Sequence, residues 1–167
     1  SVAIAVRSKF LPTGKRNQHY SEIIDIKVAT MNSHGHNSAI AQQIYGVRPD
    51  TRQQACEDVL KTVAKCQRQG DTLTIRTDAK RAYITSVQKI LPLAVHQAVV
   101  SRATPSTTSN PMFPFNVVAG KIRHDMSRMA RRSWVTTKSR WALEAHLDLY
   151  IAWNNRYPIF KTKAGTV

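Results

Sequence analysis

Alternating apolar and polar positions predict the first two elements. Val2, Ile4 and Val6 alternate with small residues and predict a strand over 2–8. After the turn signal Pro12-Thr-Gly-Lys, Ile24, Ile26, Val28 and Thr30 share one face of a second strand. The short link predicts an antiparallel hairpin. A polar loop over 31–37 leads to a short helix near 38–45 that ends at Gly46. Asp50 is placed to N-cap a longer helix, with Gln53 at the capping-box spacing. That helix carries Ala55, Val59, Val63 and Cys66 as its apolar stripe, and Gly70 ends it. Leu73, Ile75 and Thr77 then alternate with Thr72, Thr74 and Arg76 in a third strand that closes on Asp78. A helix through Tyr83, Val87, Ile90 and Leu91 follows, then a last strand near 94–100. The order β-β-α-α-β-α-β is that of an α/β protein.

From 101 to 114, Ser, Thr and Asn with Pro105, Pro111 and Pro114 predict a loop. The chain then reads as helical to about residue 155, with a break near Thr136 and Thr137. On a helical projection of 115–134, Phe115, Val118, Ile122, Met126 and Met129 form one apolar stripe. Lys121, His124, Arg128, Arg131 and Arg132 lie opposite, and Asn116, Arg123 and Trp134 fall on one boundary. The last helix, 140–155, carries Leu143, Leu147 and Tyr150 on one flank and Leu149 and Trp153 on another. Its polar face, Glu144, Asp148 and Asn155, is narrow, which predicts packing on two sides. Glu144 and Asp148, at i and i+4, suit either a cation or a solvated edge.

Charge sharpens the picture. The 167 residues carry 25 Lys and Arg against 10 Asp and Glu, a net charge of +15. Between Arg102 and Arg140 there are eight Lys or Arg and a single acid, Asp125. A solvated amphipathic face is one reading of such a run. A polyanionic partner, nucleic acid above all, is the other, because a phosphate backbone relieves the self-repulsion and releases counterions. Such contacts position a protein without specifying sequence. Hydrophobic content of 42% excludes wholesale disorder. No apolar run reaches the roughly 18 residues of a membrane span, and no basic lead-in of a signal peptide precedes the first residues. Cys56 and Cys66 have no disulfide-framework or CxxC spacing and are expected to pack as small apolar residues. The chain begins with Ser in mid-strand pattern, as a fragment would.

Three stretches resemble the catalytic domain of bacterial insertion-sequence transposases of the DDE type. They are Ile4-Ala-Val-Arg7 with Ile23-Ile-Asp-Ile-Lys-Val-Ala-Thr-Met31, Thr77-Asp78 with Tyr83, and Asn116 through Arg123 and Arg128-Met-Ala-Arg-Arg-Ser-Trp-Val-Thr-Thr-Lys138 to His146-Leu-Asp-Leu-Tyr-Ile-Ala-Trp-Asn154-Asn. The likeness covers most of 1–157, and the last stretch is its most specific part. It implies an RNase H-like mixed sheet, here without its first strand, flanked by helices, with a helical C-terminal third and a tail over 158–167. It implies DNA transposition: cleavage and strand transfer at two Mg²⁺ or Mn²⁺ ions held by an Asp, a second Asp, and a Glu or Asn. Two such ions polarise the scissile phosphate and stabilise the leaving oxygen.

Residue by residue, Asp78 matches the second carboxylate and Asn116 the third position, where a neutral carbonyl oxygen would weaken the site's negative charge. The local alternatives are that Asp78 caps the following helix and that Asn116 caps its own. Lys138 resembles a downstream phosphate-contacting residue, and Arg123, Arg128, Arg131 and Arg132, with Lys121 and His124, would line the DNA path. The family's first Asp would lie upstream of Ser1. Asp25, the one Asp of the early strands, sits in the third-strand position and is a poor substitute. His34 and His36 form an HxH pair without further ligands at usable spacing, and His96 lies in the last strand. The implied partner is double-stranded DNA, bound by a homodimer at the bacterial nucleoid in the cytoplasm. The rival readings are a non-catalytic basic DNA-binding remnant and a basic RNA-binding module. Against the latter stands an aromatic content of 7%, falling mostly in apolar stripes.

Overall fold

The computed structural model describes residues 2–11, 18–32, 38–100, 110–129 and 139–161. The two N-terminal alternations form β1 (Val2–Leu11) and β2 (Gln18–Val28), an antiparallel pair. Its ladder slips once. Val6 lies opposite Ile23 and Ala5 opposite Asp25, so Ile24 is the extra residue of a β-bulge. The slip redistributes the side chains. Ile23, Ile26 and Val28 pack in one cluster with Val2, Ile4 and Val6, whereas Ile24 packs in the other cluster with Ala5. The alternation grouped Ile24 with Ile26; a period of two does not survive an inserted residue.

Helix α1 (Ser38–Tyr45) ends as expected before Gly46, whose φ of 72° suits a residue without a Cβ. Helix α2 (Arg52–Lys65) starts one residue later than the capping pattern implies. Thr51 is its N-cap, but the Thr51 hydroxyl accepts the Thr30 N–H at 2.9 Å and so ties the helix start to the end of β2. Asp50 instead accepts the Arg52 N–H at 3.0 Å and pairs with the Arg52 guanidinium. Gln53 donates to Glu57 rather than closing a capping box. Ala55, Val59 and Val63 are buried with Leu60, but Cys66 is exposed, because the helix has already ended at Lys65. Both cysteines are free thiols, and burial raises the pKa of Cys56 above its ordinary value.

Strand β3 (Thr74–Asp78), helix α3 (Arg81–Ile90) and strand β4 (Val95–Val99) form a βαβ unit with the strands parallel, Asp78 opposite Val99. The sheets β1–β2 and β3–β4 share no hydrogen-bonded ladder. One cluster nevertheless spans both. Leu60 and Val63 of α2 and Val87 and Leu91 beside them gather Ala5 and Ile24 from the first sheet and Leu73 and Ile75 at the second. Glu57 on α2 and Lys89 on α3 add an ion pair at 3.0 Å.

The opposite face of β1–β2 is covered by α4 (Phe113–Asp125) and α5 (Arg140–Lys161). Val118, Ile122, Leu147 and Tyr150 meet Ile23, Ile26 and Val28 there. Full burial of such side chains stabilises by about 1.5–3 kcal/mol each. The helix expected over 115–134 is shorter: it stops at Asp125, Met126 turns extended, and a 3₁₀ turn covers Ser127–Met129. Met126 and Met129 still pack against the cluster. Packing of α5 is one-sided, contrary to expectation. Leu149 is 69% exposed and Trp153 49%. Among the described residues, the protein is therefore a mixed α/β fold with a three-layer order, α2–α3, strands, α4–α5.

Candidate functional site

Asp78 is the last residue of β3, and its carboxylate is half-buried. Lys80, not Asp78, is the N-cap of α3, and no side chain caps that helix. The Asp78 backbone carbonyl accepts the Lys80 N–H at 2.8 Å. Its carboxylate makes no hydrogen bond or ion pair with a described residue. Asn116 sits in the first turns of α4, exposed, three residues past Phe113. It is not a cap: Met112 occupies that place, and the Asn116 N–H already donates to the Met112 carbonyl at 2.9 Å. Elements β3 and α4 do not pack on each other, with no Cα pair within 8 Å.

Asp25 is engaged by partners of its own. It is buried, accepts the Thr62 hydroxyl at 2.7 Å and pairs with Lys27 at 3.3 Å. The bulge explains this placement, since it turns Asp25 toward α2. Glu144 is engaged by Arg140 at 2.8 Å, which removes it from a pair with exposed Asp148. His96 shares a hydrogen bond of 2.8 Å with the Thr77 hydroxyl, one residue from Asp78. His34 and His36 lie outside the described residues, as do Arg131, Arg132 and Lys138. Among the described residues, no three His, Cys, Asp or Glu converge as metal ligands. Asp78 is thus a single hard oxygen donor, chemically suited to Mg²⁺ yet short of the ligand number an ion needs from protein and water together.

The cationic positions are clearer. Lys121, Arg123 and His124 are exposed on the last turns of α4, and none is engaged by an acid among the described residues. Other cations are neutralised: Arg7 by Glu22 at 2.7 Å, Lys61 by Asp58 at 3.0 Å. Arg128 falls in the 3₁₀ turn that follows α4.

Sequence reasoning missed one feature beside these cations. The Tyr150 hydroxyl donates to Asp125 Oδ2 at 2.8 Å, joining the end of α4 to α5. Burial first, then the Asp125 carboxylate, push the Tyr150 phenol far above its ordinary range. No local pattern announces a contact across 25 positions. The two residues line an open cleft of about 400 Å³ with Met126, Ser127, His146, Leu149 and Trp153.

No protein-family description, curated protein or solved structure matches the chain. Among the described residues, no helix is long and apolar enough to cross a membrane.

Proposed function

We propose that the chain is an RNase H-like transposase core that binds DNA and belongs to a Mg²⁺- or Mn²⁺-dependent strand-cleavage and strand-transfer machine. The observation that carries this reading is Asp78. It is a half-buried carboxylate with no side-chain partner among the described residues, at the carboxyl end of a parallel strand, the place where open α/β sheets keep ligands. A carboxylate left unpaired there costs stability unless something cationic uses it. Further support comes from the sheets. β1 and β3 each leave an unpaired edge among the described residues, and α2 and α3 span both sheets. The resemblance would join the two sheets through an added strand between β1 and β3 into a single mixed sheet. Lys121, Arg123 and His124, without an acidic partner among the described residues, would supply a phosphate path.

The bound ions would supply Lewis-acid chemistry at the scissile phosphate. Asp78 would hold one through its carboxylate, and the Asn116 carbonyl would be a weak neutral donor. The cations of α4 would hold the strand in register.

The test incubates the protein with plasmid DNA and Mn²⁺. Nicking that disappears in Asp78→Asn, with DNA affinity kept, supports the enzyme. The second reading, a DNA-binding remnant without cleavage, is favoured by a specific fact: Asp78 is the only carboxylate that the matching positions provide. Salt-sensitive binding with no nicking would select it, and preference for RNA over DNA would reject both.

A further inference from the structure

We propose that the cleft between the end of α4 and the middle of α5 takes one unpaired guanine base of DNA. The proposal rests on the DNA-binding reading above and adds a base-specific site to it.

Three properties of the cleft point to a base. The first is its wall. Trp153 is 49% exposed, and its ring meets Tyr150 at a centroid distance of 5.5 Å and an angle of 47°. With Leu149, 69% exposed, it offers an apolar face at the surface of a strongly cationic chain. Trp141, on the same helix, is also exposed, at 76%. The expectation that the aromatics are spent in apolar stripes therefore fails on α5. An exposed tryptophan face beside cations is the common device for holding unpaired bases, because every base has a π-face.

The second property is the polar rim. Asp125 is exposed and accepts from Tyr150 through Oδ2, and its Oδ1 has no partner among the described residues. An ionised carboxylate only accepts, and it has lone pairs for several donors. Guanine is the base whose Watson–Crick edge offers two adjacent donors, N1–H and the N2 amine. Adenine and cytosine offer one amine beside an acceptor, and thymine one N–H between carbonyls, which a carboxylate repels. The Ser127 hydroxyl and the exposed His146 ring, both without partners among the described residues, border the same space.

The third is location. Arg123, His124 and Asp125 together make the last turn of α4, so a phosphate path along that turn ends within one helix diameter, roughly 10–12 Å, of the cleft. A lone carboxylate at the C-terminal end of a helix is electrostatically misplaced, because the last carbonyls already carry negative potential. Its hydrogen bond to Tyr150 offsets part of that cost, and a bidentate base contact would use the rest of the carboxylate. The volume, about 400 Å³, lies in the range of small-molecule sites.

The experiment measures affinity for single-stranded DNA oligomers of thymine carrying guanine, inosine or thymine at the centre, across a salt series. We expect guanine to bind about tenfold tighter than thymine, the discrimination a good two-donor contact gives. Inosine, which lacks the N2 amine, should fall between. Asp125→Asn should abolish the guanine preference while leaving the salt slope unchanged, because the amide oxygen can still accept from Tyr150. Trp153→Ala should weaken both oligomers. A steep salt slope with equal guanine and thymine affinity would overturn the pocket and leave the phosphate path standing. Loss of salt dependence altogether would instead overturn the DNA reading, and the pocket with it.

Discussion

Asn155 holds both backbone groups of Ile23. Its amide donates to the Ile23 carbonyl at 2.8 Å, and its Oδ1 accepts the Ile23 N–H at 3.0 Å. Ile23 is the residue next to the bulge, so α5 clamps β2 where its ladder is irregular. The Asn154 amide adds a donor to the same Oδ1 at 3.2 Å. Removing the side chain leaves a buried donor and acceptor without partners. We expect Asn155→Ala to cost about 2 kcal/mol and to lower Tm by about 4–8 °C. Asn155→Asp should cost at least as much, because its second carboxylate oxygen would face the Ile23 carbonyl where the amide now donates. Urea denaturation with an unchanged m-value would check both; equal stability of Asn155→Ala and the parent would refute the clamp.

Two leucines on α5 separate burial from hydrophobicity. Leu147 is 0% exposed inside the cluster with Ile23 and Ile122, and Leu149 is 69% exposed two positions on. Leu147→Ala should cost about 3 kcal/mol from lost transfer energy plus a cavity. Leu149→Ala should change stability by no more than about 0.5 kcal/mol. Thermal melts of the two variants give the comparison directly.

Acid should weaken the α2–α3 contact. The Lys89 ammonium, 3.0 Å from Glu57, holds that carboxyl below its ordinary 4.5, with Gln53 adding to the effect. The folded chain then binds the Glu57 proton more weakly than the unfolded chain does. The stabilisation is therefore complete above the ordinary value and is lost as pH falls through the lowered one. Glu57→Gln should flatten the stability profile on the acid side of 4.5 and leave it parallel to the parent above. A profile with unchanged curvature would contradict the assignment.

These residues also show where the sequence was legible. The strands and the helices α1 to α3 follow from apolar periods and from Gly46, and the structure keeps that order, but α2 ends at Lys65, ahead of the Gly70 expected to close it. The bulge at Ile24 was not legible, because nothing local distinguishes an inserted residue from a strand of the same composition. The end of α4 was missed for a related reason. Residues 115–134 keep a helical period on paper, but the turn at Met126 is fixed by contacts with β1–β2 and α5. The cap at Asp50 failed because Thr51 and Asp50 are both good capping residues, and the competing bond from Thr30 comes from 21 positions away. At the candidate site, the position of Asp78 at a strand end was readable from alternation. Its lack of partners was not, since that depends on what every other element leaves unfilled.

Salt dependence should identify the phosphate path. Each neutralised phosphate contributes about 0.9 to the slope of log affinity against log salt on duplex DNA. Replacing the unpaired Lys121 and Arg123 by Ala should therefore lower the slope by about 1.8. Replacing Arg128, Arg131 and Arg132 together should lower it further. Arg7→Ala should leave it alone, because Glu22 already neutralises that guanidinium at 2.7 Å. A slope that Arg7→Ala changes as much as Arg123→Ala would mean diffuse charge rather than a defined path.

Asp78 offers a test that needs no catalysis. A half-buried carboxylate without side-chain partners among the described residues is a stability liability in a chain lacking metal. In chelator, Asp78→Asn should be as stable as the parent or slightly more so. A divalent ion that binds the folded chain and not the unfolded one stabilises by mass action, about 2.7 kcal/mol at a hundred times its Kd. Mn²⁺ should therefore raise the Tm of the parent and leave that of Asp78→Asn unmoved. The sign of the effect in chelator matters as much as the metal response. A capping or ion-paired Asp78 would make the variant less stable in chelator, and an equal Mn²⁺ shift in both proteins would place the ion elsewhere. Stability exchanged for a metal-binding carboxylate is the pattern expected of a site kept for function.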